Sequence, residues 1–464
     1  MLYITQNKIR YKLLLTPYKE VIQVSLPLVL STGSTMVMEF TDRVFLGNYS
    51  LDALAAAAPA GITAFLFASF FLGVAGYVNV FIAQYTGSGD NEGVGASLWQ
   101  GIYFAILGAI FMAILATCAV PIFSIIGHNQ DIQQLEVIYF RILCFGAGAS
   151  LVGATLSCFY SGRGFTRTVM LIHMAGTLFN IPLDYALING KWGLPELGIE
   201  GAAIATVSSW IFIASIFAVL IFNKKNNQQF HLFDKCSLRP DLFMRLMKYG
   251  LPGGAQFFLD ILVFTFFILM VGRLGKTELA VTNLVLSING LSYMPMWGFS
   301  IGVSTLVGQA MGKDKPDDAV VAARSTAHIA LVYVFFMIFI FLFIPEPLIK
   351  LFLSNSLTVV ETESLIEMGT ILLRFVALFL FFDSLVIIYS GALKGAGDSQ
   401  FVMWSIISVS LIFLFVPVWF GINRFGMGLY FSWSCITAYL LVLFIIVITR
   451  YNNGKWKEIR ILDH

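Results

Sequence analysis

Leu26–Gly47, LPLVLSTGSTMVMEFTDRVFLG, reads as an apolar helix carrying a proline, a glutamate and an aspartate (Pro27, Glu39, Asp42) where charge is expensive. The pattern returns 225 positions on, as Leu251–Gly272, LPGGAQFFLDILVFTFFILMVG, with Pro252 at its start and Asp260 inside it. The register then holds without a gap. Leu54-Ala55 recurs as Leu279-Ala280, Gly73 as Gly298, Gln84 as Gln309 and Gly87 as Gly312. The chain is therefore two copies of one unit, each with an acid inside an apolar helix.

Composition fixes the solvent of those helices. Of 464 residues, 58% are apolar and only 12% are charged. A soluble domain is about a quarter charged and just under half apolar. The excess comes in long runs, which is the mark of a polytopic, all-α membrane protein. The net charge of +2 carries little information, because in such a protein the placement of charge matters more than its sum. No cleavable secretory signal is expected, since no small-residue cleavage site follows a short apolar core. The five cysteines (Cys118, Cys144, Cys158, Cys236, Cys435) are never in CxxC spacing, and the five histidines form no HxxxH pair, so neither a disulfide frame nor a metal centre is expected.

A span needs about 20 apolar residues. Twelve are expected, at 21–47, 54–86, 94–120, 133–159, 168–190, 199–223, 246–272, 279–311, 320–345, 364–393, 400–421 and 427–450. They form two six-helix lobes, 1–223 and 246–464, the second ending in a short cytoplasmic tail, joined by a polar cytoplasmic linker over 224–245. With the N-terminus cytoplasmic, twenty Lys and Arg fall inside and six outside, which predicts both termini in the cytoplasm of a cell inner membrane. Six is even, so the lobes start on the same side. They must be related by a pseudo-two-fold axis along the membrane normal.

Each charge within a span costs roughly 2.5–3.5 kcal/mol on insertion scales, so buried acids point to function. Asp42 lies ~7 Å below the outer end of its helix. Asp184 lies ~24 Å up from the inner side, Asn180 is one turn below it on the same face, and Thr206 is ~8 Å deep from outside. Three helices thus bring Asp42, Asn180, Asp184 and Thr206 to one level, a set of hard oxygen ligands suited to Na+ or a shared proton. Glu39 is spaced to pair with Arg43 along the helix. In the second half, Asp260 and Asp383 both sit ~17 Å from the inner edge. Phe264, one turn from Asp260, offers a ring face to an organic cation. Pro27 lacks an N–H and is the expected hinge of the first span.

Other signals exclude function classes. Gly87-Ser88-Gly89-Asp90 and Gly395-Ala396-Gly397-Asp398 follow helices and lack a GK[ST] ending, so they are helix stops, not phosphate loops. No nucleotide-binding domain, cofactor motif, enzymatic constellation or nucleic-acid patch is visible. Drug-like organic cations and the lipid bilayer are the expected partners, and a monomer is the expected form.

At these residues the sequence resembles the multidrug and toxic compound extrusion (MATE) family over nearly its whole length. The resembling segments are Thr41–Gly47, Ala83–Gly87, Asn180–Asp184, Gly198–Thr206 and Asp383–Gly395. The resemblance implies two lobes facing a cleft, and export of amphipathic or cationic compounds by antiport with Na+ or H+. It carries the N-lobe cation set over to Asp42, Asn180, Asp184, the Ala202 carbonyl and Thr206. It carries the C-lobe set over to Asp260, Phe264, Asn283, Tyr293 and Asp383, which makes the chain NorM-like. Phe379, one turn before Asp383, stands where some relatives have Tyr. The alternative is a lipid or lipid-linked oligosaccharide flippase of the same wider superfamily, which usually shows a cationic cavity; the buried groups here are acidic. A major facilitator would carry a basic loop after its second span, yet Gln84–Gly95 holds no Lys or Arg.

Overall fold

The computed structural model describes residues 2–126, 128–234, 236–351 and 359–462. Among them no strand occurs, and twelve long helices carry the architecture. In sequence order these are α1 (Leu2–Tyr49), α2 (Leu51–Ser88), α3 (Asn91–Thr117), α4 (Gln130–Ser161), α5 (Thr166–Asn189) and α6 (Ile199–Ile221). The second set comprises α7 (Pro240–Gly272), α8 (Lys276–Gly312), α9 (Pro316–Phe343), α10 (Val359–Ala396), α11 (Ser399–Phe425) and α12 (Leu429–Asn452). Helices are what an apolar solvent permits, because each satisfies its own backbone polar groups. Eleven of them are long and apolar enough to cross a membrane by composition. The remaining long helix, α8, has 37 residues and a more polar sequence, with Asn283, Ser287, Asn289 and Ser292 among them. Exposed side chains such as Phe40, Leu107, Ile114, Val219, Val332 and Phe336 give these helices the apolar exterior that lipid requires.

Local chemistry sets the ends. Ser50 caps α2, accepting from the Ala53 amide over 3.4 Å. Gly89 ends that helix in the left-handed region at φ 79°, and Asp90 then caps α3, accepting from the Gly93 amide over 2.9 Å. The third span lies three residues earlier than expected, because Cys118 ends α3 and a separate short helix, Ala119–Ile126, follows. Pro417 removes a backbone donor from α11, and a single π-helical turn, Leu411–Phe415, precedes it.

The polar linker is not a free tether. Lys224–Phe230 is helical, Phe230 and Leu232 are buried, and Pro240 already opens α7. Trp99 Nε1 donates to the Leu232 carbonyl over 2.7 Å, and the Arg239 amide donates to Gln100 Oε1 over 3.1 Å. Two side chains of α3 thus hold the segment in place, which its Lys, Asn and Gln content did not suggest.

Two compact units emerge, and their borders differ from a clean division at the linker. One holds Met1–Val29, Leu259–Val307 and Pro316–Arg460; the other holds Leu30–Phe258, Gly308–Lys315 and Ile461–His464. The first part of α1 therefore packs among the C-terminal helices and the first part of α7 among the N-terminal ones. Glycines make room for both. A β-carbon on Gly298 of α8 would stand 2.5 Å from the Val29 amide nitrogen of α1, and one on Gly73 of α2 would stand 2.8 Å from Gly254 Cα of α7. These two contacts are equivalents under the 225-residue repeat. In the N-terminal unit α4 is the central helix, packed by α2, α3 and α6, and α6 also packs on α5. In the other unit α10 packs against α9 and α12.

Candidate functional site

In the N-terminal unit, α1, α5 and α6 converge on four polar side chains in an apolar setting. Asp184 and Asn180 are wholly buried, and Asp42 and Thr206 are each only 7% exposed. Thr206 Oγ1 donates to Asp42 Oδ2 over 3.1 Å. With its amide nitrogen turned to the acids, Asn180 donates to both, to Asp42 Oδ1 at 3.3 Å and to Asp184 Oδ2 at 3.1 Å. The two carboxyl groups also lie within hydrogen-bonding reach of each other. Asp184 Oδ1 is buried with no hydrogen-bond partner among the described residues. Two acids this close, in a place this dry, require something positive between them. A proton or a small cation fits that requirement, and the donor set is all oxygen apart from the Asn180 amide.

The framework around the cluster is fixed by neighbouring hydroxyls. Thr177 Oγ1 of α5 donates to the Ser34 carbonyl of α1 over 3.0 Å. Ser209 Oγ of α6 donates to the Gly176 carbonyl of α5 over 2.9 Å and lies 3.8 Å from Met38 Sδ of α1. Met38 and Ser34 stand one and two turns before Asp42, so α1 is fastened directly beneath the acid it presents. Beyond the cluster, Tyr49 donates to Glu196 Oε1 over 3.1 Å, which ties the end of α1 to the loop after α5. Rings of Phe45, Tyr185 and Trp192 make edge and tilted contacts of 5.8 and 5.9 Å around the same end.

Ala202, one turn before Thr206, is wholly buried on the same helix. Glu39 and Arg43 do not close the ion pair expected from their spacing; both side chains are exposed on the outside of α1. Pro27 lies inside an unbroken α1, two residues before the unit border at Val29. Tyr139 of α4 joins the cluster's surroundings without being one of the expected residues. It is buried, and its phenol feels the charges of both Asp42 and Asp184. A tyrosine in an apolar run gives no signal at the sequence level.

The C-terminal unit gathers a second group. Asp383 of α10 is 7% exposed and feels the charge of Asp260 of α7. Both acids act on the phenols of Tyr293 and Tyr439. Phe264 and Tyr293 place their ring centroids 6.4 Å apart, and Trp297 adds a further ring 6.2 Å from Tyr293. Asn283 and Ser287 are exposed on α8, whose Thr282, Val285 and Ile288 are buried. Phe379 is committed to packing, fully buried and stacked on Trp433 at 6.3 Å. Tyr439 and Lys394 are additions: Lys394, which charge counting places at the inner edge, feels Asp260. Among the described residues there is no cluster of three or more metal-ligating side chains, and the five cysteines are free.

The MatE family model matches the chain twice, over residues 27–186 and 252–419, one match in each copy of the repeat. The probable multidrug resistance protein NorM of Thermotoga maritima is 27% identical over 461 residues, covering 96% of this chain and 94% of the relative. The multidrug resistance protein PmpM of Pseudomonas aeruginosa is 28% identical over 398 residues, covering 83% and 80%. Among solved structures, a MOP superfamily transporter from Pyrococcus furiosus superposes with a TM-score of 0.85 at 20% identity, covering 96% of this chain and 97% of the other. A multidrug resistance MATE family transporter in an outward-facing conformation gives 0.83 at 21% identity, covering 95% and 97%.

Proposed function

The chain belongs to the MatE family, and from that membership we propose that it is a multi-pass membrane transporter that expels amphipathic, often cationic, organic compounds in exchange for Na+ or H+. It is a transporter and not an enzyme. The relatives named for multidrug resistance support the class of substrate. The observation that carries the coupling is the buried Asp42–Asn180–Asp184–Thr206 cluster, with one carboxylate oxygen of Asp184 left without a partner among the described residues.

The cluster joins three helices, so its occupancy acts on how they pack. Empty, two facing carboxyl groups repel, and the repulsion is felt by α1 on one side and α5 on the other. An ion entering from outside cancels that repulsion and draws α1 against α5 and α6. The Thr177–Ser34 bond passes the movement down α1 toward Pro27, where a missing N–H already weakens the helix. In the C-terminal unit, Asp260, Asp383 and the rings of Phe264, Tyr293 and Trp297 supply negative charge and π faces for an organic cation. Ion binding that favours one arrangement of α1 then shifts the population toward release. The Lys and Arg distribution supports both termini in the cytoplasm of the inner membrane.

Ethidium efflux from proteoliposomes under a pure sodium gradient, and separately under a pure pH gradient, tests the reading. One gradient is expected to drive transport, and Asp42→Asn and Asp184→Asn are each expected to abolish it while the protein remains folded in the membrane. Undiminished transport in both variants, or no transport under either gradient, defeats the proposal.

A further inference from the structure

The inner ends of α2 and α8 meet in a reciprocal crossing. Its residues, Gln84 with Gly87 on α2 and Gln309 with Gly312 on α8, all fall within one compact unit, because Gly308–Lys315 groups with α2. A β-carbon on Gly87 would collide with the Gln309 carbonyl oxygen, and one on Gly312 would collide with the Gln84 carbonyl oxygen. Each glycine thus admits the backbone of the other's glutamine. Since 84 and 309, like 87 and 312, are equivalent under the 225-residue repeat, a local two-fold axis passes through the contact. Gln309 adds a side-chain tie: its Nε2 donates to the Gly162 carbonyl, at the end of α4, over 2.9 Å.

We infer that this Gln-x-x-Gly crossing is the seal on the cytoplasmic side, which closes when the substrate site faces outward and must part for substrate to enter from the cytoplasm. The inference rests on the transport reading above and on cytoplasmic termini, and it gives a role to residues that touch neither ion nor drug. Backbone packed on backbone with no side chain between makes a contact that has two settings, closed or parted. An added methyl group cannot be absorbed by rotating a side chain, because the colliding atom is a carbonyl oxygen. Gln84, Gly87, Gln309 and Gly312 are positioning residues: they decide how long the closed arrangement lasts.

The test compares Gly87→Ala and Gly312→Ala with Gly76→Ala, on the same helix, where a β-carbon meets nothing within 4 Å. Gln309→Leu removes the amide tie without adding bulk at the crossing. Hydrogen–deuterium exchange of the purified protein in lipid nanodiscs reads the backbone amides of 83–88 and 309–315. Ethidium efflux is measured beside it. Both glycine variants are expected to speed exchange in those two segments and to lower efflux by roughly tenfold or more, the scale of overpacking at a close contact. Gly76→Ala should change neither beyond about twofold, as an uncrowded site permits. Gln309→Leu should speed exchange in 309–315 with a smaller loss of efflux. Unchanged exchange in Gly87→Ala and Gly312→Ala overturns the inference, as does equal behaviour of all three glycine variants. If the two crowded variants fail to accumulate, Gln309→Leu decides: wild-type exchange in that variant rejects the seal. Because exchange is read without any gradient, this result stands apart from whether Na+ or H+ drives transport.

Discussion

Replacing Thr206 by valine isolates one contact of the buried acid cluster. The substitution keeps the branched outline and removes only the hydroxyl that donates to Asp42 Oδ2 over 3.1 Å. Both residues are 7% exposed, so little water is at hand to take the lost donor's place. A hydrogen bond to a charged group contributes about 1.5–3 kcal/mol, which at about 1.4 kcal/mol per factor of ten is roughly 10- to 150-fold. The lower end is expected, because Asn180 still donates to the other oxygen of Asp42. For a sodium-driven protein the external Na+ giving half-maximal efflux should therefore rise by roughly tenfold, since a carboxylate freed from its donor is a worse-placed ligand. The assay is initial rates of ethidium efflux from proteoliposomes against external ion concentration, with Thr206→Ser as the variant that restores the wild-type value. The substitution adds no bulk, so protein yield and the maximal rate should hold. A half-saturating concentration within twofold of wild type in Thr206→Val, at equal protein, refutes the claim that this hydroxyl helps hold the ion.

Three other outcomes follow from the same geometry. Asp383→Asn removes one of the two C-terminal-unit acids and should lower efflux of ethidium far more than efflux of an uncharged drug; equal losses for both would deny that the acids select cations. Trp456→Ala deletes a ring that is 1% exposed and stacked 5.2 Å from Tyr451. That should cost about 3–5 kcal/mol and lower the melting temperature in detergent by several degrees, with transport per folded molecule unchanged. Arg239→Ala breaks a 3.0 Å pair with Glu92 whose side chains are 37% and 45% exposed. Screening limits such a pair to about 1 kcal/mol or less, so both melting and efflux should stay close to wild type.

Much of this architecture is legible in one sequence because the bilayer leaves few choices. Runs of apolar residues become helices, and a repeat with fixed offset places the second set once the first is known. The level shared by Asp42, Asn180, Asp184 and Thr206 is also legible, since rise per residue converts position into depth. What depth cannot give is azimuth. Asn283 is exposed on α8 while its neighbour Thr282 is wholly buried, a difference that position along the helix does not reveal. Glu39 and Arg43 have pairing distance along the helix and still do not pair. Tyr139, Tyr439 and Lys394 are ordinary residues until neighbouring helices surround them with acids. The unit borders are the other surprise. They depend on glycines whose meaning appears only when a second backbone is laid against them.

That α1 finds its neighbours so late in the sequence has a consequence for how the molecule is made. Val29 rests on Gly298, which leaves the ribosome roughly 270 residues afterwards, about 15–55 s at ordinary synthesis rates. Through that interval the beginning of the chain sits in the membrane without its permanent companion. A fragment ending at the linker would be orphaned in the same way, and the two halves, if produced separately, should mature only when made together in one cell.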